Sequence, residues 1–456
     1  MNRIATRSWI VIVLAGALLL GLMFFVGDYL IHAGQWVQST GSPHIYKGNQ
    51  LQKGSVVDRN GVMLLDYGEQ RTYAEQSPVR KATLHWVGDR AGNIRPPLIS
   101  EYTLQLCGYN PMDGVYAYGD NSGTMELTLS AQLQTVAMEA MGKRRGVVAV
   151  MNYRTGEILC AVSTPTFDPD NVPDIAGDTT GKYNGVYLNR FIQSAYTPGS
   201  IFKLVTTAAA LESVPGITER TFYCAGEIPM EGSKVVCAGV HGSQTLEQAL
   251  ANSCNCAFAE IAELVGRERL EHYVQKFGVT ESLRFDGFTT RTGNFDVTGE
   301  DRISLCWSGI GQHKDVVNPC TYLNFVAAIA SEGSGVQPYV VQSVSFGSGT
   351  TYQARTVGEN PIMSYQTAQT LKELMRNNVV TKYGDKNFPG LEVCAKSGTA
   401  EIGNGKSNAL FTGFVDSERY PLAFIVVVEE GGTGSTACVP VISKVLSACV
   451  EILDGL

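Results

Sequence analysis

Ser200 follows Thr197-Pro198-Gly199 and stands three residues ahead of Lys203, at the start of an apolar stretch, 201–211, that reads as a helix. One helical turn puts positions i and i+3 on the same face, so the lysine amine can reach the serine hydroxyl. A neutral, partly desolvated lysine is a competent base for a serine nucleophile. The start of a helix adds unpaired backbone N–H groups and a positive dipole end, both suited to an oxyanion. The chemistry these residues can do is acyl transfer through a covalent serine intermediate. Alone the pattern is weak, because a helix-capping serine with a lysine one turn on also occurs without function.

Two further groups strengthen it. Ser253-Cys254-Asn255 begins 53 positions after Ser200, inside a stretch, 246–264, expected to be helical. It offers a hydroxyl and an amide two residues apart, and the serine could relay a proton to a leaving amine. Lys396-Ser397-Gly398-Thr399 begins 143 positions after Ser253 and follows the strand-like 391–395. On an edge strand Gly398 would let the backbone approach a bound acyl group, while Lys396 and the hydroxyls of Ser397 and Thr399 can meet a carboxylate.

The elements that must position these groups can be read in outline. Ser130 caps a helix with a stripe at Leu133, Val136, Met138 and Met141, ended by Gly142. Two β-rich runs, 146–152 and 157–163, flank a turn at Tyr153-Arg154-Thr155-Gly156. Further helices are expected at 202–211, 246–264, 362–377 and 439–453, and a fully apolar strand at 422–428. Strands unevenly interspersed with helices predict an α+β domain over 124–456. Residues 28–123 read as a smaller, mostly β accessory domain, with an Asn60-Gly61 turn inside 54–65. Residues 8–27 are apolar and uncharged, long enough to cross a bilayer core of about 30 Å. Arg3 and Arg7 before this stretch and Asp28 after it predict a retained anchor, with 1–7 cytoplasmic and the rest outside.

Composition narrows the alternatives. The chain has 456 residues and a formal charge of −8 without a long basic run, which argues against a nucleic-acid binder. Its eleven cysteines are an odd number, and their spacings match no zinc pattern. Cys224 and Cys237 flank a possible hairpin around Pro229 and Gly232, and are read either as a disulfide or as small buried side chains.

S-I-F-K at Ser200, S-C-N at Ser253 and K-S-G-T at Lys396, in this order, resemble the class B penicillin-binding proteins, the monofunctional peptidoglycan D,D-transpeptidases. The likeness extends through 54–65, 146–170, 189–211, 241–266, Gly311-Gln312 with Pro319, and 429–440. It implies a penicillin-binding/β-lactamase-like domain, an antiparallel sheet with helices on both faces, behind the accessory domain and anchor. It implies that the penultimate D-alanine carbonyl of a stem peptide acylates Ser200, with Lys203 as base. Ser253 would relay a proton with Lys396, and Asn255 would hold Lys203 and a substrate amide. Backbone N–H groups of Ser200 and Thr399 would form the oxyanion hole, with the Ser397 and Thr399 hydroxyls toward the substrate carboxylate. β-Lactams would acylate the same serine, no metal or organic cofactor is needed, and a polytopic membrane glycosyltransferase is the implied partner at the bacterial cytoplasmic membrane. His313 stands where the family usually has glycine, and reads as a substrate contact or an ordinary polar residue. Cys254 and Cys394 read as packing residues. A β-lactamase and a β-lactam-binding sensor or scaffold are the rival readings.

Overall fold

A computed structural model describes residues 2–38, 45–47, 50–51, 53–68, 70–109, 122–230, 232–299 and 301–455. Residues 110–121, within the expected accessory segment, lie outside the described residues.

The centre of the chain is a five-stranded antiparallel sheet. Its order is Val393–Glu401, Ser407–Val415, Leu422–Val428, Gly146–Asn152 and Ile158–Thr164. Side chains alternate between the faces of a strand, and in the middle strand both faces are covered. Ala423, Ile425 and Val427 pack into one apolar cluster with Tyr322 and Phe325 of the helix Pro319–Ala330. Leu422, Phe424, Val426 and Val428 pack into the other, with Leu133 of Ala131–Met141 and Ile442 and Val445 of Gly434–Asp454. The unbroken apolar run at 422–428 is thus a strand buried from both sides. Ser130 accepts from the Leu133 N–H and Gly142 closes the helix behind it, as the sequence predicts.

The expected helix at 246–264 is two helices, Leu246–Ala251 and Asn255–Val265. Ser253 lies between them with φ +52°, in the left-handed region. Cys254 caps the second helix, its sulfur accepting from the Ala257 N–H. The second chemical group therefore sits in a break and not along a helix face.

Residues 28–123 contain more than strands. Ser77–Val87, Pro97–Glu101 and Thr103–Leu106 are helical. Ser55–Val57 and Met63–Asp66 pair around the Asn-Gly turn, where Asp58 Oδ1 accepts from the Asn60 and Val62 N–H groups. Their six-stranded sheet is completed by Thr72–Tyr73 on one side and Gly123–Leu127, Val341–Phe346 and Gly349–Gln353 on the other, so strands from the later part of the chain are built into it. Trp86 is fully buried and donates to the Ala161 carbonyl at 2.7 Å, while Arg80 grips Asp168 with two hydrogen bonds of 2.7 Å. That grip holds the Asp168 carboxyl well below the usual carboxylate range. The accessory part and the central sheet share one continuous apolar cluster.

The N-terminal helix spans Asn2–Val37, ten residues past the expected end at Gly27. Its 36 residues correspond to about 54 Å, against a hydrocarbon core of about 30 Å. Its apolar stretch is exposed along its length, whereas Ala33 is buried and Gly34 meets Leu104. The closing helix Gly434–Asp454 is also long and apolar, though less so, and half of its apolar stretch is buried in the core.

Candidate active site

Ser200 lies in a 3-10 turn, Gly199–Phe202, that leads into the helix Lys203–Ser213. The turn is held by close backbone approach. Gly199 has φ +54°, and a Cβ there would lie 2.5 Å from the Thr399 carbonyl oxygen. Gly199 N–H donates to the Gly311 carbonyl at 2.8 Å, and Gly311 has no room for a side chain against Gly199 and Phe202. Gln312 Nε2 donates to the Thr399 carbonyl at 3.1 Å. Gly311-Gln312 thus clamps the Ser200 turn to the edge strand.

Lys203 is fully buried, and its amine is the hub of the cleft. Nζ lies 3.1 Å from Ser200 Oγ, 2.8 Å from Asn255 Oδ1, 2.6 Å from the Ser253 carbonyl and 3.2 Å from Ser253 Oγ. Burial lowers its pKa from 10.5 to about 7, because the charged form loses its hydration. Lys396, also fully buried, donates to Ser253 Oγ at 3.1 Å. Burial, and then the charge of Lys203, push its pKa well below the ordinary lysine value. The Ser253 hydroxyl is thereby flanked by two amines.

The break in the helix accounts for this geometry. With Ser253 in the left-handed region, its carbonyl and its hydroxyl both point at Lys203, which an intact helix could not allow. Asn255 is held by donating from Nδ2 to the Val236 carbonyl at 2.8 Å.

Lys396, Ser397, Gly398 and Thr399 lie within Val393–Glu401, an edge strand as expected. A Cβ on Gly398 would sit 2.8 Å from the Pro198 carbonyl oxygen, so the glycine lets the strand pass under the Ser200 turn. The Ser397 N–H donates to Tyr383 Oη at 2.9 Å, away from the sheet. With a two-residue repeat, the Thr399 N–H faces the same open side. The Ser397 hydroxyl lies 2.9 Å from Tyr383 Oη, and the Thr399 hydroxyl accepts from the Gly434 N–H at 3.3 Å. Both are anchored, each with capacity for one more partner.

Tyr383 is a residue that sequence reasoning missed. It ends a π-helical turn, Val379–Tyr383, and nothing in its sequence neighbourhood ties it to Ser397. His313 is half-buried beyond Gln312. Cys394 is buried, with its thiol pushed up to about 12, consistent with a packing role.

The eleven cysteines are all free and buried, so Cys224 and Cys237 are not bridged. The ligating atoms of Cys224, Cys237, His241 and Cys254 lie within 4.8 Å of one another, directly behind the second chemical group. Spacing along the chain hid this cluster, because the hairpins Thr221–Cys224 with Gly242–Thr245 and Glu227–Met230 with Ser233–Val236 bring it together.

The chain is similar to known proteins over most of its length. The penicillin binding protein transpeptidase domain matches residues 146–447. Peptidoglycan D,D-transpeptidase PbpA of Mycolicibacterium smegmatis is 30% identical over 72% of this chain and 73% of the relative. Stage V sporulation protein D of Bacillus subtilis is 27% identical over 86% of this chain and 60% of its own length. The penicillin G acyl-enzyme complex of penicillin-binding protein A from M. tuberculosis superposes with a TM-score of 0.75 at 23% identity, covering 88% of this chain and all of that one. The chain belongs to the penicillin-binding protein transpeptidase family.

Proposed function

We propose that this chain is a peptidoglycan D,D-transpeptidase that works through a Ser200 acyl-enzyme. The observation that carries the assignment is the buried Lys203 amine, 3.1 Å from Ser200 Oγ and able to be neutral near pH 7. Lys203 takes the Ser200 proton as Oγ bonds to the penultimate D-alanine carbonyl carbon. Charge on the carbonyl oxygen is met by the N–H groups of Ser200 and Thr399. Ser253, between Lys203 and Lys396, passes a proton to the amine of the departing D-alanine as the C–N bond breaks. Asn255 keeps Lys203 in place, and Ser397 and Thr399 receive the substrate carboxylate beside Gly398. An amine of a second stem peptide then attacks the acyl carbon, restores the Ser200 hydroxyl and completes the cross-link. A β-lactam enters by the same first step.

Hydrolytic release of the acyl group requires an activated water. Among the described residues no carboxylate hydrogen-bonds Ser200, Lys203, Ser253 or Lys396, which favours slow deacylation and a transpeptidase over a β-lactamase. A chromogenic cephalosporin should give a stoichiometric burst with negligible turnover. Rapid steady-state hydrolysis would sink the reading in favour of a lactamase.

Residues 8–27 of the long N-terminal helix are read as a single-pass anchor in the bacterial cytoplasmic membrane, with the catalytic domain outside. Gly16, Gly21 and Gly27 of that helix are small residues of the kind that lets membrane helices approach closely. A polytopic membrane glycosyltransferase is the proposed partner there. Photo-cross-linking from positions beside Gly16 in native membranes should yield an adduct with such a protein. Cross-links to lipid alone would contradict the partner assignment.

A further inference from the structure

We propose that Arg71, Arg90 and Arg95 form a pocket, beside the emergence of the N-terminal helix, that takes the phosphate of an anionic phospholipid. The cavity measures about 370 Å³, and besides these arginines it is lined by Tyr46, Leu51 and Ile99. Cationic forks next to apolar side chains fit a ligand that joins an anion to an apolar chain, which is the chemistry of a lipid phosphate.

The positive charge is not cancelled within the fold. Arg71 is partly buried, with Cζ 5.4 Å and 5.1 Å from the ring centroids of Tyr67 and Tyr73. Its Nη1 and Nη2 donate to the Asp89 and Val87 carbonyls at 2.8 Å, and its Nε is buried with no hydrogen-bond partner among the described residues. Donors therefore remain on a fork whose orientation is fixed in advance. Arg95 is exposed and donates to the Gly92 carbonyl at 2.7 Å. Of the nearby carboxylates, Asp89 accepts from Asn93 Nδ2 at 3.1 Å and from the Ile94 N–H at 2.7 Å, while Asp170 pairs with Arg90 at 2.6 Å. Arg71 and Arg95 are left to meet an anion from outside.

The position favours a lipid over a soluble anion. Thr103 also lines the cavity, and its neighbour Leu104 meets Gly34 of the N-terminal helix. Gly34 is seven positions beyond Gly27, about 10 Å along a helix. The headgroup layer reaches about 5–8 Å beyond the hydrocarbon core, so the helix joins the folded part close to the level of lipid phosphates. This placement rests on residues 8–27 being the membrane anchor. A lipid held there would seat the accessory part on the outer leaflet and limit how far the catalytic domain swings from the membrane.

The full chain in nonionic detergent, titrated with short-chain phosphatidylglycerol and followed by native mass spectrometry, should bind it at least about fivefold more tightly than the matching phosphatidylcholine. Arg95→Gln should lose about fivefold of that affinity, and Arg71→Gln at least as much. Arg71 also ties two backbone carbonyls, so penicillin acylation at the wild-type rate serves as the folding control, and the exposed Arg95 carries the test if Arg71→Gln does not fold. In nanodiscs, a photoreactive phosphatidylglycerol should label the wild-type chain within 97–103. Equal binding of the two lipids, full affinity in Arg95→Gln, or labelling confined to the N-terminal helix would overturn the pocket. Displacement of the lipid by an equal concentration of glycerol phosphate would assign the pocket to a soluble phosphate and overturn the lipid assignment.

Failure of the anchor reading would show separately. The wild-type chain would then stay out of nanodiscs, while its binding of short-chain lipid in solution would still be measured.

Discussion

The nucleophile turn and the break at Ser253 face each other across Lys203, yet the chain builds them differently. Ser200 and Lys203 are placed by local structure, a turn running into a helix, with a spacing of three positions setting the geometry. Ser253 and Asn255 are placed by an interruption, held open by a left-handed serine and a cysteine cap and tied to distant hairpins. The first region carries reactivity in its own sequence, whereas the second depends on tertiary support. Perturbations should therefore be sharp and chemical at the first, and spread over a wider set of residues at the second.

The largest effect after loss of the nucleophile is expected at the hub. Lys203→Met keeps the volume of the side chain and removes the base, and should slow penicillin acylation by about 10³-fold while protein stability holds. Burying an amine is itself costly, so an apolar replacement need not destabilise. A rate within tenfold of wild type would show that another group takes the Ser200 proton.

At the break, Ser253→Gly and Ser253→Ala separate shape from chemistry. Glycine accepts φ +52° without strain and alanine does not, though both lose the hydroxyl. Acylation should fall by about 10²-fold in both, with the glycine variant about 1 kcal/mol more stable than the alanine variant. Equal stability in thermal unfolding would mean that the break is not strained.

The pH profile tests the hub in the unmodified protein. The Lys203 pKa is lowered from 10.5 to about 7, so the neutral base dominates above pH 7 and the protonated form below it. The second-order acylation rate should rise about tenfold per pH unit up to about pH 7 and then level. A profile still rising toward pH 10 would place the lysine in water.

The smallest effect is expected at Tyr383. Tyr383→Phe removes the bond to Ser397 and should cost about 1 kcal/mol in substrate positioning, roughly a fivefold loss of acylation efficiency. The loss should appear in KM more than in kcat with a carboxylate-bearing substrate, and unchanged constants would remove Tyr383 from the cleft.

The same contrast explains what could be read from the sequence. Helix 131–141 announces itself by Ser130 and Gly142, and the buried strand by its apolar run, because both signals are local. The break at 252–254 was hidden because apolar periodicity continues through Leu246, Ala249, Leu250, Ala257 and Phe258, and no glycine marks the left-handed residue. The cysteine–histidine cluster was hidden because its members are gathered by hairpin pairing. The accessory sheet drew strands from 341–353, a non-local pairing that composition near residue 124 cannot reveal. The N-terminal helix outran its apolar core because Asp28 and His32 pair one turn apart, 2.8 Å from each other, and Ala33 and Gly34 pack against the folded part.

The central claim is that Ser200 is the residue acylated. Labelling the full chain with a fluorescent penicillin, followed by peptide mass mapping, tests it most directly. One adduct on the peptide bearing Ser200 is expected, with none in Ser200→Ala. An adduct on any other residue, or label that persists in Ser200→Ala, would contradict the assignment.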